Sequence, residues 1–316
     1  MSQLLVVGAG SMAGAYARVL KAMGLDFGIV GQSEASAAKF ERENGIAVKT
    51  GGLRRYLTRT SPPSSAIVAV PIEQLGPSTE LLALAGTERI LVEKPGALSG
   101  NKLDELALSV SATKALVWIA YNRRFFQSTL AAKRLIQEDG GVTSFYFDFS
   151  EWAERVVAAP IDPRVKQSWI IANSSHVLDL AFYLGGMPTE LVSFAYGSLP
   201  WHRAGDRFAG AGRTESGALF SYRSDWSSPG RWRVEIGTRR RRLLLSPLET
   251  LQQMIHGSRE FEHVVLDDDV DRAFKPGIFW QTDAFVQDFL GEMCSLELHR
   301  KQIRLFEKIG GYTEDL

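Results

Sequence analysis

Short apolar runs alternate with helical spacings along the first part of this chain. Leu4-Leu5-Val6-Val7, Phe27-Gly28-Ile29-Val30, Ala66-Ile67-Val68-Ala69-Val70, Ile90-Leu91-Val92 and 115–120 are short and almost free of polar residues. Runs of this kind, apolar on both faces, predict parallel strands covered by helices on each side. Between them apolar positions recur every three or four residues, which predicts helices over 11–23, 35–44, 75–85 and 101–111. Ala47-Val48-Lys49 reads as one more short strand. Strand and helix alternating through 1–121 predict an α/β, doubly wound parallel sheet.

After a helix at 127–138 and the turn Asp139-Gly140-Gly141 the period changes. The segments 142–149, 191–197, 217–224, 232–237 and 243–245 read as strands, several alternating apolar with polar. One clear helix interrupts them, 176–184, stopped by Gly185-Gly186. Residues 122–316 are therefore expected to form an α+β domain with a large, mostly antiparallel open sheet. Amphipathic helices at 285–293 and 297–306 close the chain, with room to pack back on the first domain.

The first strand runs into Gly8-Ala9-Gly10-Ser11-Met12-Ala13, where a helix begins. In a strand–turn–helix context Gly8 suits a tight turn, and Gly10 a close backbone approach to a pyrophosphate. Ala13 suits close helix–strand packing. Ser11 and Met12 open a helix whose free N–H groups and partial positive charge attract phosphate. The alternative is a glycine-rich turn with no ligand. After the second strand comes Gly31-Gln32-Ser33, where NAD proteins carry an acid for the ribose hydroxyls. Gln32 and Ser33 suit a 2′-phosphate instead, which tilts the reading of an NAD(P) site slightly toward NADP, although no arginine adjoins them.

Composition narrows the partners. Of 316 residues, 36 are Lys or Arg and 36 Asp or Glu, so the formal net charge is zero. That balance argues against nucleic acid or an anionic membrane as the partner. Arg239-Arg240-Arg241-Arg242 reads as a solvated hairpin or strand edge, and Asp267-Asp268-Asp269 with Asp271 as an exposed acidic loop. That loop lacks the glycine and distal glutamate of a calcium-binding EF-hand, and no metal site is expected. The single Cys294 excludes an internal disulfide. Met1-Ser2-Gln3 leads straight into the first strand, so no signal peptide is expected, and the expected location is the cytoplasm.

Glu93-Lys94-Pro95 follows a parallel strand and so lies at the carboxyl edge of the sheet, where open α/β sheets bind ligands. An ammonium there can address a substrate oxygen, and burial or positive neighbours tune it toward proton transfer. Asn173-Ser174-Ser175-His176-Val177-Leu178-Asp179 holds N-cap residues ahead of a helix. His176 falls in its first turn, with Asp179 on the same face to orient the imidazole. Trp152, Arg155, Arg164, Lys166 and Trp169, with Arg123 and Arg124, offer aromatic faces and cations. These suit a sugar ring carrying a carboxylate or phosphate. The competing reading makes the tryptophans core or interface residues and the cations solvated.

The glycine turn, the strand ending Ala69-Val70-Pro71, Glu93-Lys94-Pro95 and Tyr121-Asn122-Arg123-Arg124-Phe125 occur in order along the chain. Over nearly its whole length the sequence resembles the glucose–fructose oxidoreductase/inositol dehydrogenase (Gfo/Idh/MocA) family. The resemblance implies a Rossmann domain followed by an α+β domain whose open sheet covers substrate and forms a subunit interface, hence a dimer or tetramer. It implies NAD(P) held by Gly8, Gly10, Ser11, Met12, Gln32, Ser33, Val70, Pro71, Glu93, Lys94 and Asn122. It makes Lys94, before a cis proline bond, and His176 the catalytic pair. Tyr121, Arg123, Trp152, Arg164, Lys166, Trp169, Asn173 and Asp179 join them at the substrate. The implied activity is hydride transfer between nicotinamide and a secondary alcohol or ketone of a sugar, cyclitol or sugar derivative. One departure stands out: the aspartate expected four residues before the histidine is Ala172. That leaves open an NAD-recycling dehydratase, epimerase or glycosidase, and also a non-catalytic cofactor-binding regulator.

Overall fold

The computed structural model describes residues 4–312, so Met1-Ser2-Gln3 lies outside the described residues. The chain divides into two units: residues up to 122 with Val270–Lys301, and Arg123–Asp269 with the residues from 302 onward. The stretch 270–301, expected within the second domain, belongs to the first unit.

In the first unit β1 (Leu4–Val7), β2 (Phe27–Val30), β3 (Ser65–Val68), β4 (Arg89–Glu93) and β5 (Leu116–Ala120) are parallel, and β14 (Cys294–Ser295) pairs antiparallel with β5. The order is β14-β5-β4-β3-β1-β2. The sheet reverses direction of winding between β1 and β3, and the carboxyl ends there form the crevice where such folds bind ligands. Leu5, Val6, Ala66, Ile67, Val68, Leu91 and Val92 are fully buried, as strands covered on both faces require. Helices α1 (Ser11–Ala22), α2 (Glu34–Asn44), α4 (Ile72–Ala85) and α5 (Gly100–Ser111) cover it, and α11 (Ile278–Val286) packs on α1. Two local expectations fail. Ala47-Val48-Lys49 forms only a single bridge, Val30 to Lys49, and α3 (Gly52–Leu57) follows it. The helix expected over 285–293 ends at Val286, because Asp288 adopts a positive φ of 66° and Cys294-Ser295 is drawn into the sheet.

The second unit carries eight strands in the order β13-β12-β11-β10-β6-β9-β8-β7. They are β6 (Ser144–Asp148), β7 (Pro188–Tyr196), β8 (Arg207–Thr214), β9 (Leu219–Asp225), β10 (Arg233–Gly237), β11 (Arg241–Leu245), β12 (Gln252–Ile255) and β13 (Glu262–His263). All neighbours are antiparallel except β6 and β9. Phe145, Phe147, Tyr222 and Phe220 stack across the β6–β9 pair, with centroids 5.0 Å apart for Phe145–Phe220 and 5.1 Å for Phe147–Tyr222. Phe182 of α9 (Ser175–Gly185) sets its edge against them. The arginine run turns the β10–β11 hairpin: Arg241 reaches Asp139 at 2.8 Å and Arg242 reaches Glu235 at 3.2 Å. Among the described residues no helix is long and apolar enough to cross a membrane.

Candidate functional site

Each unit has its own hollow. In the first, a groove of about 590 Å³ opens at the ends of β1, β2 and β3, lined by Gly8, Gly31, Gln32, Arg54, Val70 and Pro71 among others. Gly8 has φ +124°, and a Cβ there would stand 2.1 Å from the Ala69 carbonyl oxygen. No side chain can replace it, so the turn passes tightly over the end of β3. Gly10 differs: a Cβ there would meet nothing within 4 Å. Intramolecular packing therefore does not account for this glycine, whose backbone stays open to approach. The first turn of α1 carries no acid, and Gly10 at its N-cap gives no side-chain cap, so its N–H groups stay available to an anion. Ser11 and Met12 stand at that end, Ser11 exposed and Met12 partly so. These features fit a pyrophosphate-bearing cofactor.

Gln32 lines the same groove, pinned where Gly51 N–H donates to the Gln32 carbonyl at 3.3 Å. Ser33 does not line it; its hydroxyl caps α2 by accepting from Ser36 N–H at 3.2 Å. In its place the start of α3 supplies Arg54, a cation that its distance in sequence from Gln32 had hidden. No carboxylate is among the described residues lining this groove.

At the end of β4, Glu93 accepts from Tyr16 Oη at 2.7 Å. Gln281 donates its amide to Tyr16 Oη at 3.1 Å and accepts from the Asn122 and Tyr121 N–H groups at 3.1 and 3.2 Å. That orientation leaves the single tyrosine proton for Glu93. Burial pushes the Glu93 carboxyl up, opposed by the Tyr16 hydrogen bond, the charges of Lys94 and Lys275, and the Lys94 N–H. Lys94 is half-buried, and the Lys94–Pro95 bond is cis. Lys275, which the sequence reading passed over, brings its Nζ to 2.8 Å from Met12 Sδ. Two of the expected site residues are held by the fold here. Tyr121, expected at the substrate, is 1% exposed and sets its ring edge-on to His299, with centroids 5.4 Å apart. Asn122, expected at the cofactor, is buried and donates Nδ2 to the Pro276 carbonyl at 2.9 Å.

In the second unit a cavity of about 340 Å³ is lined by Arg123, Glu151, Trp152, Arg155, Trp169 and Trp232 with smaller neighbours. Four separate stretches of chain supply them. Arg123 lies 5.0 Å over the Trp232 ring and Arg155 4.0 Å over Trp152, whose Nε1 donates to the Gly230 carbonyl at 3.0 Å. Glu151 is the buried acid of this wall, absent from the sequence-based set. Its Oε1 accepts from Asn173 Nδ2 at 2.9 Å and Ser174 Oγ at 2.7 Å. Burial pushes its carboxyl up, and Ser174, Asn173 and the indoles of Trp169 and Trp232 work against that. Trp169 Nε1 is itself buried, with no partner at hydrogen-bond distance.

His176 begins α9 after a π-helical turn, Ile170–Ser174; it is 9% exposed and packs on Trp232 with centroids 6.3 Å apart. Such turns often mark functional sites. Asp179 does not serve as an orienting acid of the expected kind. It is fully buried, taking Arg124 Nε at 2.9 Å, Arg124 Nη2 at 2.5 Å and Gln302 Nε2 at 2.8 Å. Ala172, buried, supplies no acid. Asn173 serves Glu151. Arg164 and Lys166 are not part of the wall: Arg164 pairs with Asp162 at the start of its helix, and Lys166 donates to the Val157 carbonyl at 2.9 Å.

Comparisons come from solved structures. No protein-family model matches the chain, and no curated protein does so significantly. Levoglucosan dehydrogenase, solved with NADH, superposes with TM-score 0.79 at 18% identity, covering 98% of this chain and 96% of its own. UDP-N-acetylglucosamine 3-dehydrogenase GnnA from Acidithiobacillus ferrooxidans gives 0.73 at 16% identity, covering 98% and 97%. A candidate NADPH-dependent oxidoreductase from Desulfitobacterium hafniense gives 0.78 at 15%, covering 97% and 94%. The chain thus has the fold these proteins share, a Rossmann unit and an α+β unit with a large open sheet, as the resemblance implied.

Proposed function

We propose that this protein is an NAD(P)-dependent oxidoreductase acting on a secondary alcohol or ketone of a sugar, cyclitol or sugar derivative. The observation that carries the reading is the groove at the sheet's carboxyl edge, with empty space over Gly10 and an uncapped helix start. The names of the solved proteins that share the fold agree with it: one was solved with NADH, one is described as NADPH-dependent, and two are named as dehydrogenases of levoglucosan and of UDP-N-acetylglucosamine.

Gly8, Gly10, Ser11 and Met12 would hold the pyrophosphate, and Val70 and Pro71 the groove wall. The bound nicotinamide supplies the place where a hydride is accepted or given. Lys94 Nζ holds the reacting oxygen and takes or returns its proton, while Glu93, tied to Tyr16, fixes the backbone from which Lys94 projects. His176 is the second proton-handling group, its ring steadied by Trp232. Arg54 and Gln32 favour a 2′-phosphate, so NADP is the preferred cofactor. The buried Cys294, in no disulfide, suits a reducing cytoplasm. The exposed Val192, Phe194 and Tyr196 on one face of β7 support self-association, to be read from the mass in solution.

The test is a panel of sugars, cyclitols and nucleotide sugars assayed with NAD and NADP by absorbance of the reduced nicotinamide. At least one should give turnover, with NADP ahead. Arg54→Ala should weaken NADPH binding by roughly tenfold or more and leave NADH binding unchanged, the loss of one charge-assisted contact. Tighter binding of NADH by the unsubstituted protein would refute the NADP preference. Failure to bind either nucleotide would refute the reading itself.

A further inference from the structure

We propose that the second-unit cavity is a subsite for an anionic sugar, in which Glu151 accepts a ring hydroxyl and Arg155 and Arg231 take the charged substituent. The proposal rests on the oxidoreductase reading for the reaction, but the recognition chemistry stands on the cavity itself.

Two buried carboxylates of the unit, Asp179 and Glu151, are used differently. Asp179 is fully buried and neutralised by Arg124, with Gln302 adding a third donor. It has the environment of a structural ion pair. Glu151 has no cationic partner at ion-pair distance among the described residues. Both of its side-chain hydrogen bonds, from Asn173 and Ser174, fall on Oε1. The second oxygen takes no hydrogen bond of ordinary length from the described residues, the Trp169 and Trp232 indoles lying near enough only to ease its charge, and the carboxylate forms part of the cavity wall. A carboxylate held this way is a poor structural element, because a buried charge without a counterion is costly. A ligand hydroxyl offers the missing donor.

The neighbours define which ligand. Trp152 and Trp232 line the same wall, and the buried Trp169 Nε1, which makes no hydrogen bond of ordinary length and lies near the Glu151 carboxyl, adds a donor for a ring oxygen or hydroxyl. Aromatic faces combined with a fixed carboxylate match the alternation of C–H patches and hydroxyls on a pyranose. Arg155 and Arg231 also line the cavity, and neither makes an ion pair among the described residues; Glu249 in the same wall reaches neither. Arg155 is laid over Trp152 at 4.0 Å, a placement that orders the guanidinium without neutralising it. Two cations beside an aromatic wall suit a carboxylate or phosphate substituent.

Binding is to be measured by calorimetry, without turnover, on the full chain with NADPH present. Four probes serve: D-glucose, D-glucuronate, glucose 6-phosphate and UDP-N-acetylglucosamine. At least one anionic probe should bind about tenfold tighter than glucose, and the tightest identifies carboxylate, monophosphate or diphosphate as the charged group. Glu151→Gln keeps an acceptor for Asn173 and Ser174 but turns the cavity-facing atom into a donor. It should weaken the tightest probe by roughly tenfold or more, with NADPH affinity unchanged. Arg155→Ala with Arg231→Ala should bring the anionic probe down to the level of glucose. Equal affinities in the unsubstituted protein and Glu151→Gln would overturn the role of Glu151. An anionic probe no tighter than glucose, or no measurable binding of any probe, would overturn the subsite. Binding that follows the expected pattern without hydride transfer would uphold the subsite and count against the oxidoreductase reading.

Discussion

The groove of the first unit is shaped by glycine turns and a helix start, with Gln32 and Arg54 added, and the cavity of the second by side chains. Around the groove, Gly8 turns over the Ala69 carbonyl, the Gln32 backbone is tied to Gly51, and Gly10 leaves room above a helix start. Around the cavity, three tryptophans, arginines and a buried glutamate do the shaping. One substitution there alters the chemistry offered to a ligand. A binding element made of backbone suits a cofactor common to many proteins, and one made of side chains suits the part of the reaction that differs between them.

The sharpest test of this contrast is a pair of identical substitutions two residues apart. Gly8→Ala forces a Cβ against the Ala69 carbonyl at a φ that L-residues avoid, and should cost more than about 3 kcal/mol of stability, seen as a large drop in urea midpoint. Gly10→Ala meets nothing in the protein and should leave that midpoint in place. It should instead weaken NADPH binding by roughly tenfold, because its methyl group occupies the ligand's space. Similar stability losses for both would mean that the open space over Gly10 is not a binding feature.

Between these extremes lies a pH effect confined to the side-chain-built unit. His202 is fully buried, with Nδ1 2.7 Å from the Gly205 carbonyl and Nε2 2.7 Å from Tyr312 Oη. Because Tyr312 Oη also accepts from Ile170 N–H, its own proton is given to Nε2, and the imidazole is neutral with its proton on Nδ1. Burial pulls its pKa from 6.5 to about 4. The unfolded chain therefore takes up a proton that the fold refuses. Stability is complete above about pH 6.5 and declines as the pH falls toward 4. The contribution is on the order of 3 kcal/mol at most. Urea midpoints followed across that range should fall more steeply for the native chain than for His202→Gln; parallel curves would contradict the burial argument.

The same contrast decides what the sequence made legible. The groove was readable because its determinants are contiguous: an apolar run, Gly-x-Gly and a helix start occupy residues 4–13. Arg54 escaped because it reaches the groove through a fold contact, the tie between residues 31–32 and 51–52. In the second unit the aromatic wall was partly visible through Trp152 and Trp169. Glu151 was not, since nothing local distinguishes it from a surface acid; its burial depends on Asn173 and Ser174, more than twenty residues away. Asp179 is met by Arg124 and Gln302, which arrive from distant segments and so lie beyond any local reading of its helix. Strand β8 was missed for a related reason. Its Gly210 and Gly212 weaken the strand signal, but the rings of Tyr222 and Phe220 occupy the space their side chains would need.

The most direct measurement is single-turnover hydride transfer by Lys94→Ala beside direct NADPH titration of the same variant. The account predicts a rate lowered by roughly a hundredfold or more, with NADPH affinity within about threefold of the native chain. An unchanged rate, or equal losses of rate and nucleotide affinity, would contradict the assignment of Lys94 to the reacting oxygen.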